Sequence, residues 1–175
     1  QMSNKLFNVL NREMTERDFT HVFGSIYEHS KWVPESIIKN NLILPNTIEE
    51  LRLMMKEVID KASYKKKIKL LCLHPELGIK KNSVSKLTLS SQNEQKSAGL
   101  DQCSDEEFFI LSENNKLYRE KFKFPFIIAV SGLTRSQIID QIRKRVKNNF
   151  DVEFITAINE VHKIAKIRLD SVSLP

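Results

Sequence analysis

The chain has 175 residues, 41% hydrophobic and 29% charged, with a formal net charge of +6. That size suits one domain around a single core, and four glycines with five prolines leave too few turn residues for a protein of many short strands. The longest apolar run, 124–130, carries Pro125 and falls far short of the roughly 20 residues of a membrane span.

Residues 1–14 read as a tail or the start of the first helix, and the leading Gln1-Met2 as lying ahead of the native start. Thr15 is placed to cap a helix, with Asp18 three positions on and Phe19, Phe23 and Ile26 on its apolar side, before Trp32 and Pro34 mark a break. A short helix is expected from Pro34, since proline suits a first turn. Thr47 then precedes Glu49 and Glu50, acidic residues that favour a helix N-terminus. Behind them Leu51, Met54, Met55, Val58, Ile59 and Ala62 recur on one helical face, with the methionines as core filler. The next helix, 65–73, carries Ile68, Leu70, Leu71 and Cys72 and is stopped by Pro75, which drives His74 out of the helical region.

Residues 78–86 read as loop. A helix over 88–98 ends at Gly99, suited to the left-handed position after a helix. Ser104-Asp105-Glu106-Glu107 has the form of a capping box opening a helix through Phe108, Leu111 and Tyr118. Pro125 forbids a continuous helix over 122–132, so an extended or irregular buried connection is expected there. Thr134 with Gln137 caps a helix through Ile138, Ile139, Ile142 and Val146, and Asp151 opens the last, running to Ser171. With no internal repeat and no low-complexity segment, the pattern predicts an all-α, single-domain bundle of about seven to nine helices.

The positive balance raises nucleic acid as a partner. Lys65-Lys66-Lys67 with Lys69, and Arg143-Lys144-Arg145 with Lys147, lie on predicted helices and read first as solvated faces. An anionic small molecule also suits such a protein. A basic helical module that binds nucleic acid or a partner protein without catalysis stays as the alternative. Cys72 and Cys103 lack metal or redox spacing, which points to a reducing compartment. Without a Ser-Lys-Leu ending in Ser171-Val172-Ser173-Leu174-Pro175, the cytoplasm is the expected location. His21, His29 and His162 are scattered, so no metal is expected. The absence of a phosphate loop or nucleophile motif argues against nucleotide cofactors and covalent acyl chemistry.

His74 opens His74-Pro75-Glu76-Leu77-Gly78. At a helix end an imidazole satisfies last-turn carbonyls, but it is also the side chain that gives and takes protons near neutral pH. Ser91, Glu94, Gln95 and Ala98 share one face of the following helix. Ser91 with Glu94 reads either as a capping box or as a pocket wall. On the last helix, Phe154, Ala157, Ile158, Val161, Ile164 and Ala165 form an apolar stripe whose next step is Arg168. That arginine either snorkels outward or presents its fork to a carboxylate from inside the bundle.

Taken together and in order, these motifs resemble the 2-oxo-4-hydroxy-4-carboxy-5-ureidoimidazoline (OHCU) decarboxylases of urate degradation. The resemblance rests on Phe23-Gly24-x-Ile26-x-Glu28-His29-Ser30-x-Trp32-Val33, His74-Pro75, the stretch from Leu87-Thr88 to Leu100 with Glu94-Gln95, Phe124-Pro125-Phe126 with the apolar run behind it, and Ile167-Arg168-Leu169. It implies a helical OHCU decarboxylase-like domain over 15–175, usually dimeric, with no metal or organic cofactor. It also implies conversion of OHCU to (S)-allantoin and carbon dioxide, next to urate oxidase and 5-hydroxyisourate hydrolase in the pathway. Carried onto this chain, His74 is the proton-transfer residue and Glu94 its catalytic partner. Pro75, Ser91, Glu94, Gln95, Phe126, Ile127, Ile128, Ala129, Val130 and Arg168 are the substrate contacts.

Overall fold

The computed structural model describes residues 15–40, 44–78 and 87–172. The expectations placed on 1–14, on the loop beyond Gly78 and on the last three residues lie outside them. Among the described residues eight α-helices follow in order: α1 (Glu16–Phe23), α2 (Trp32–Asn40), α3 (Ile48–Asp60), α4 (Tyr64–Cys72), α5 (Leu89–Ser97), α6 (Asp105–Phe122), α7 (Arg135–Arg145) and α8 (Phe150–Asp170). A short 3-10 turn, Leu100–Gln102, sits between α5 and α6, and no strand occurs among the described residues. The molecule is all-α.

Helix starts follow the capping chemistry. Thr15, Ser104 and Thr134 each accept the backbone N–H three residues on, while Asp18, Glu107 and Gln137 reach back to the cap's own N–H. Thr47 caps α3 through the Glu50 N–H. Two boundaries differ from expectation, and at α5 the structure decides between two open readings. The second helix begins at Trp32 rather than Pro34, leaving the proline in its first turn, where a missing N–H costs nothing. The last helix is capped by Asn149, whose Oδ1 accepts the Val152 N–H at 2.9 Å. At α5 the cap is Thr88, which accepts the Ser91 N–H, so Ser91 and Glu94 do not form a capping box.

The chain divides into two compact units. The first, Gln1–Leu70 with His162–Pro175, buries Phe19, Phe23, Val33, Ile37, Leu51, Met55 and Ile59; within it α1 meets α2 and α2 meets α3. Its polar centre is a relay. Tyr27 Oη lies 2.8 Å from His162 Nδ1, and His162 Nε2 lies 2.9 Å from Asp60 Oδ1.

The second unit, Leu71–Val161, holds every sequence-derived site residue except Arg168. Its core is aromatic. Tyr118 meets the rings of Phe122, Phe124 and Phe126 at centroid distances of 4.5, 5.9 and 5.4 Å. Helix α6 ends on Lys123 in the left-handed region (φ 66°), and Pro125 prevents continuation. Residues 124–130 then run as an irregular, mostly buried segment, as the sequence predicts.

Candidate active site

Helix α4 stops at Cys72, and His74 follows with its N–H donated to the Leu71 carbonyl at 3.1 Å. The imidazole is 7% exposed, so the short segment after α4 presents a buried histidine rather than a solvated cap. Gly78 closes the segment with φ 72°, a left-handed turn that side-chain-bearing residues resist. A Cβ there would lie 2.8 Å from Leu111 Cδ1.

Helix α5 presents the predicted face. Ser91, Gln95 and Ala98 are buried and Glu94 is half-buried. Gln95 joins this face to the segment after His74. Its Nε2 donates to the Glu76 carbonyl and its Oε1 accepts the Gly78 N–H, both at 3.1 Å. Gln95 thus ties the α5 face to residues 76–78, the stretch that follows His74-Pro75.

The 126–130 segment is held by charged side chains that sequence reasoning missed. Arg145 Nη1 donates to the Ile127 carbonyl at 2.6 Å, and the Ala129 N–H donates to Glu160 Oε1 at 3.0 Å. Arg145 also stacks over the Phe126 ring at 4.4 Å and pairs with Glu153 at 2.5 Å. Glu153, fully buried, also accepts from the Tyr118 hydroxyl at 2.6 Å and from Asn148 Nδ2 at 3.0 Å. Burial and this carboxylate push the Tyr118 phenol far above its ordinary range, so it stays a donor. Phe126, Ile127, Ile128 and Val130 are buried and Ala129 is half-buried. The Ile127 carbonyl and Ala129 N–H are therefore committed within the protein.

Arg168 belongs to the first unit. It is 8% exposed and does not snorkel; Nη1 donates to Glu28 Oε1 at 3.0 Å and to the Ser25 and Ile26 carbonyls at 3.2 and 3.4 Å. Glu28 is 1% exposed, so this is a fully desolvated charge pair.

A cleft of about 850 Å³ is lined by 74–78 on one side and by Phe108, Ser112, Asn115, Lys116, Arg119, Glu120 and Lys123 on the other. Ser91, Glu94, Gln95 and 126–130 are not among its walls. Asn115 went unnoticed in the sequence, although it falls in phase with buried Leu111, Tyr118 and Phe122 on α6. Glu153 and Glu160 were legible the same way, in phase with Ala157 on α8. Among the described residues, no three His, Cys, Asp or Glu side chains converge as a metal-binding group, and no helix is long and apolar enough to cross a membrane.

Residues 12–170 match the family model described as OHCU decarboxylase. The chain is 37% identical to the 2-oxo-4-hydroxy-4-carboxy-5-ureidoimidazoline decarboxylase of Haloferax volcanii, over 89% of each protein. It is 36% identical to the uric acid degradation bifunctional protein of Bacillus sp. strain TB-90, covering 91% of this chain but only 31% of that longer protein. A crystal structure of (S)-allantoin synthase superposes with a TM-score of 0.75 at 30% identity, over 94% of this chain and 52% of that one. With a family model spanning nearly all of the described fold, the chain belongs to the OHCU decarboxylase family.

Proposed function

We propose that this protein decarboxylates OHCU to (S)-allantoin in urate degradation, with His74 as the proton-transfer residue. The observation that carries the reading is the buried imidazole of His74, set just past a helix stop on a segment tied to the Gln95 face of α5. The substrate supplies its own electron sink, an imine carbon beside the carboxylated carbon. As carbon dioxide leaves, the electrons of the breaking C–C bond form a carbon–carbon double bond, and the imine π electrons move to nitrogen, which takes a proton. Protonation at carbon and loss of the hydroxyl proton then give the amide carbonyl of allantoin. His74 exchanges a proton with the substrate hydroxyl or the developing enol, and one-sided delivery sets the new stereocentre. Glu94, half-buried beside Gln95, orients the imidazole or a substrate ring N–H.

Pro75, Ser91, Gln95 and residues 126–130 form the ring's surroundings, and Arg168 meets the substrate carboxylate. Glu28 offsets much of the guanidinium's net charge, so Arg168 contributes direction more than attraction. The working form is a cytoplasmic homodimer, downstream of urate oxidase and 5-hydroxyisourate hydrolase.

The test generates OHCU in situ from urate and follows its decay. Wild-type protein is expected to accelerate decay strongly and His74→Asn to abolish most of that acceleration. Decay unaffected by wild-type protein, together with salt-dependent binding to DNA or RNA, would replace this reading with the non-enzymatic one. Sedimentation gives the assembly state directly, and a monomer at assay concentration removes the dimer.

A further inference from the structure

Two carboxamides grip the three residues that follow His74-Pro75. Gln95 holds the Glu76 carbonyl and the Gly78 N–H, each at 3.1 Å, and Asn115 Nδ2 holds the intervening Leu77 carbonyl at 2.9 Å. Pro75 has no N–H and Gly78 is left-handed, so this stretch lies outside any helix and side chains from α5 and α6 supply its partners.

Asn115 is an odd choice for stability alone. It is 5% exposed, and its Oδ1 is buried with no hydrogen-bond partner. A buried polar atom in that state carries its full desolvation cost. A leucine would continue the stripe of Leu111, Tyr118 and Phe122 without it.

We infer that Asn115 is a positioning residue: by fixing Leu77 in concert with Gln95, it sets where the His74 imidazole meets the substrate. The inference rests on the proposed role of His74 in proton transfer. It also assigns Gln95 a second task, since both ends of its amide serve the backbone.

The experiment compares wild type, Asn115→Leu and Asn115→Asp. Asn115→Leu deletes the donor and the orphaned oxygen together. Asn115→Asp keeps the shape and replaces the donor by an oxygen facing the Leu77 carbonyl. Each variant is assayed for melting temperature, kcat, KM and the enantiomeric excess of allantoin, and for the nitrogen-15 titration of the His74 ring. Asn115→Leu is expected to melt close to the wild-type temperature, because losing the orphaned Oδ1 offsets the Leu77 carbonyl left without its donor, while kcat falls roughly 10- to 100-fold, as misplacement of a reacting group does. KM should stay within about twofold, since uniform binding is not what is lost. Enantiomeric excess falls and the His74 titration moves in both variants. A folded Asn115→Leu with wild-type kcat, enantiomeric excess and His74 titration overturns the inference. So does a loss of activity that tracks the loss of folded protein alone. Failure of the underlying reading is distinct, because His74→Asn would then keep wild-type turnover whatever Asn115 does.

Discussion

The proton-transfer role proposed for His74 requires a held imidazole, and His74 is held through its chain neighbours: the Leu71 carbonyl before it, Gln95 and Asn115 after it. His74→Asn is therefore expected to lower kcat by roughly 10²–10⁴-fold, the usual contribution of a positioned acid or base, with little change in KM; steady-state rates on OHCU check this. Arg145 makes a separate point about single residues. In the sequence it sits inside Arg143-Lys144-Arg145 and reads as part of a solvated basic face, yet it is 6% exposed and paired with Glu153. Helical phase held the clue, since Arg145 shares a face with buried Ile138 and Ile142. Asn115, Glu153 and Glu160 escaped for the same reason: an apolar stripe read by hydropathy alone skips the polar residues that complete it. Arg145→Met leaves the Glu153 carboxylate buried without its cation and should cost about 3–5 kcal/mol, measured as a shift in urea midpoint.

At the level of elements, capping residues and prolines carried most of the readable information. Thr15, Thr47, Ser104 and Thr134 mark their helices, and Gly99 takes the left-handed position after α5 at φ 76°. The cap of α5 was ambiguous because Thr88 and Ser91 both carry a hydroxyl ahead of the same helix, and only geometry decides between them. The turn at Leu100–Gln102 is too short for any periodicity to announce. Ser104→Ala should cost about 0.5–2 kcal/mol through the lost cap and leave kcat unchanged, which denaturation and rate measurements separate.

The relay that joins α3, α8 and the segment after α1 makes a pH prediction. Burial lowers the His162 pKa below its ordinary 6.5, against the opposing pull of Asp60. Burial alone would raise Asp60, but hydrogen bonds from Lys56 and His162 outweigh it and leave its carboxyl low. The ionised Asp60 only accepts, so neutral His162 donates from Nε2 and receives the Tyr27 hydroxyl at Nδ1. Folding keeps the ring neutral while the unfolded chain protonates it near pH 6.5. Stability is therefore complete above about pH 6.5 and declines as pH falls through that value, levelling off once the folded ring also protonates. Urea midpoints from pH 8 to pH 5 should show this slope in wild type and lose it in His162→Gln.

For the whole molecule, composition and periodicity sufficed to read an all-α fold, because few glycines and long amphipathic runs leave little else. The division into two units was not legible. Its seams, 70/71 and 161/162, fall inside α4 and α8, where no linker, glycine or proline marks them. The candidate site was legible as residue types in order, His74 through Arg168, but not as geometry: Gln95 turns both ends of its amide to backbone, and Arg168 lies against Glu28. Stereochemistry tests the account at this scale most directly, because spontaneous decay of OHCU has no handedness and a fixed proton donor imposes one. With OHCU generated from urate in the cuvette by urate oxidase and 5-hydroxyisourate hydrolase, circular dichroism should show (S)-allantoin forming in large enantiomeric excess and far faster than without the protein. Racemic allantoin appearing at the uncatalysed rate would contradict the account.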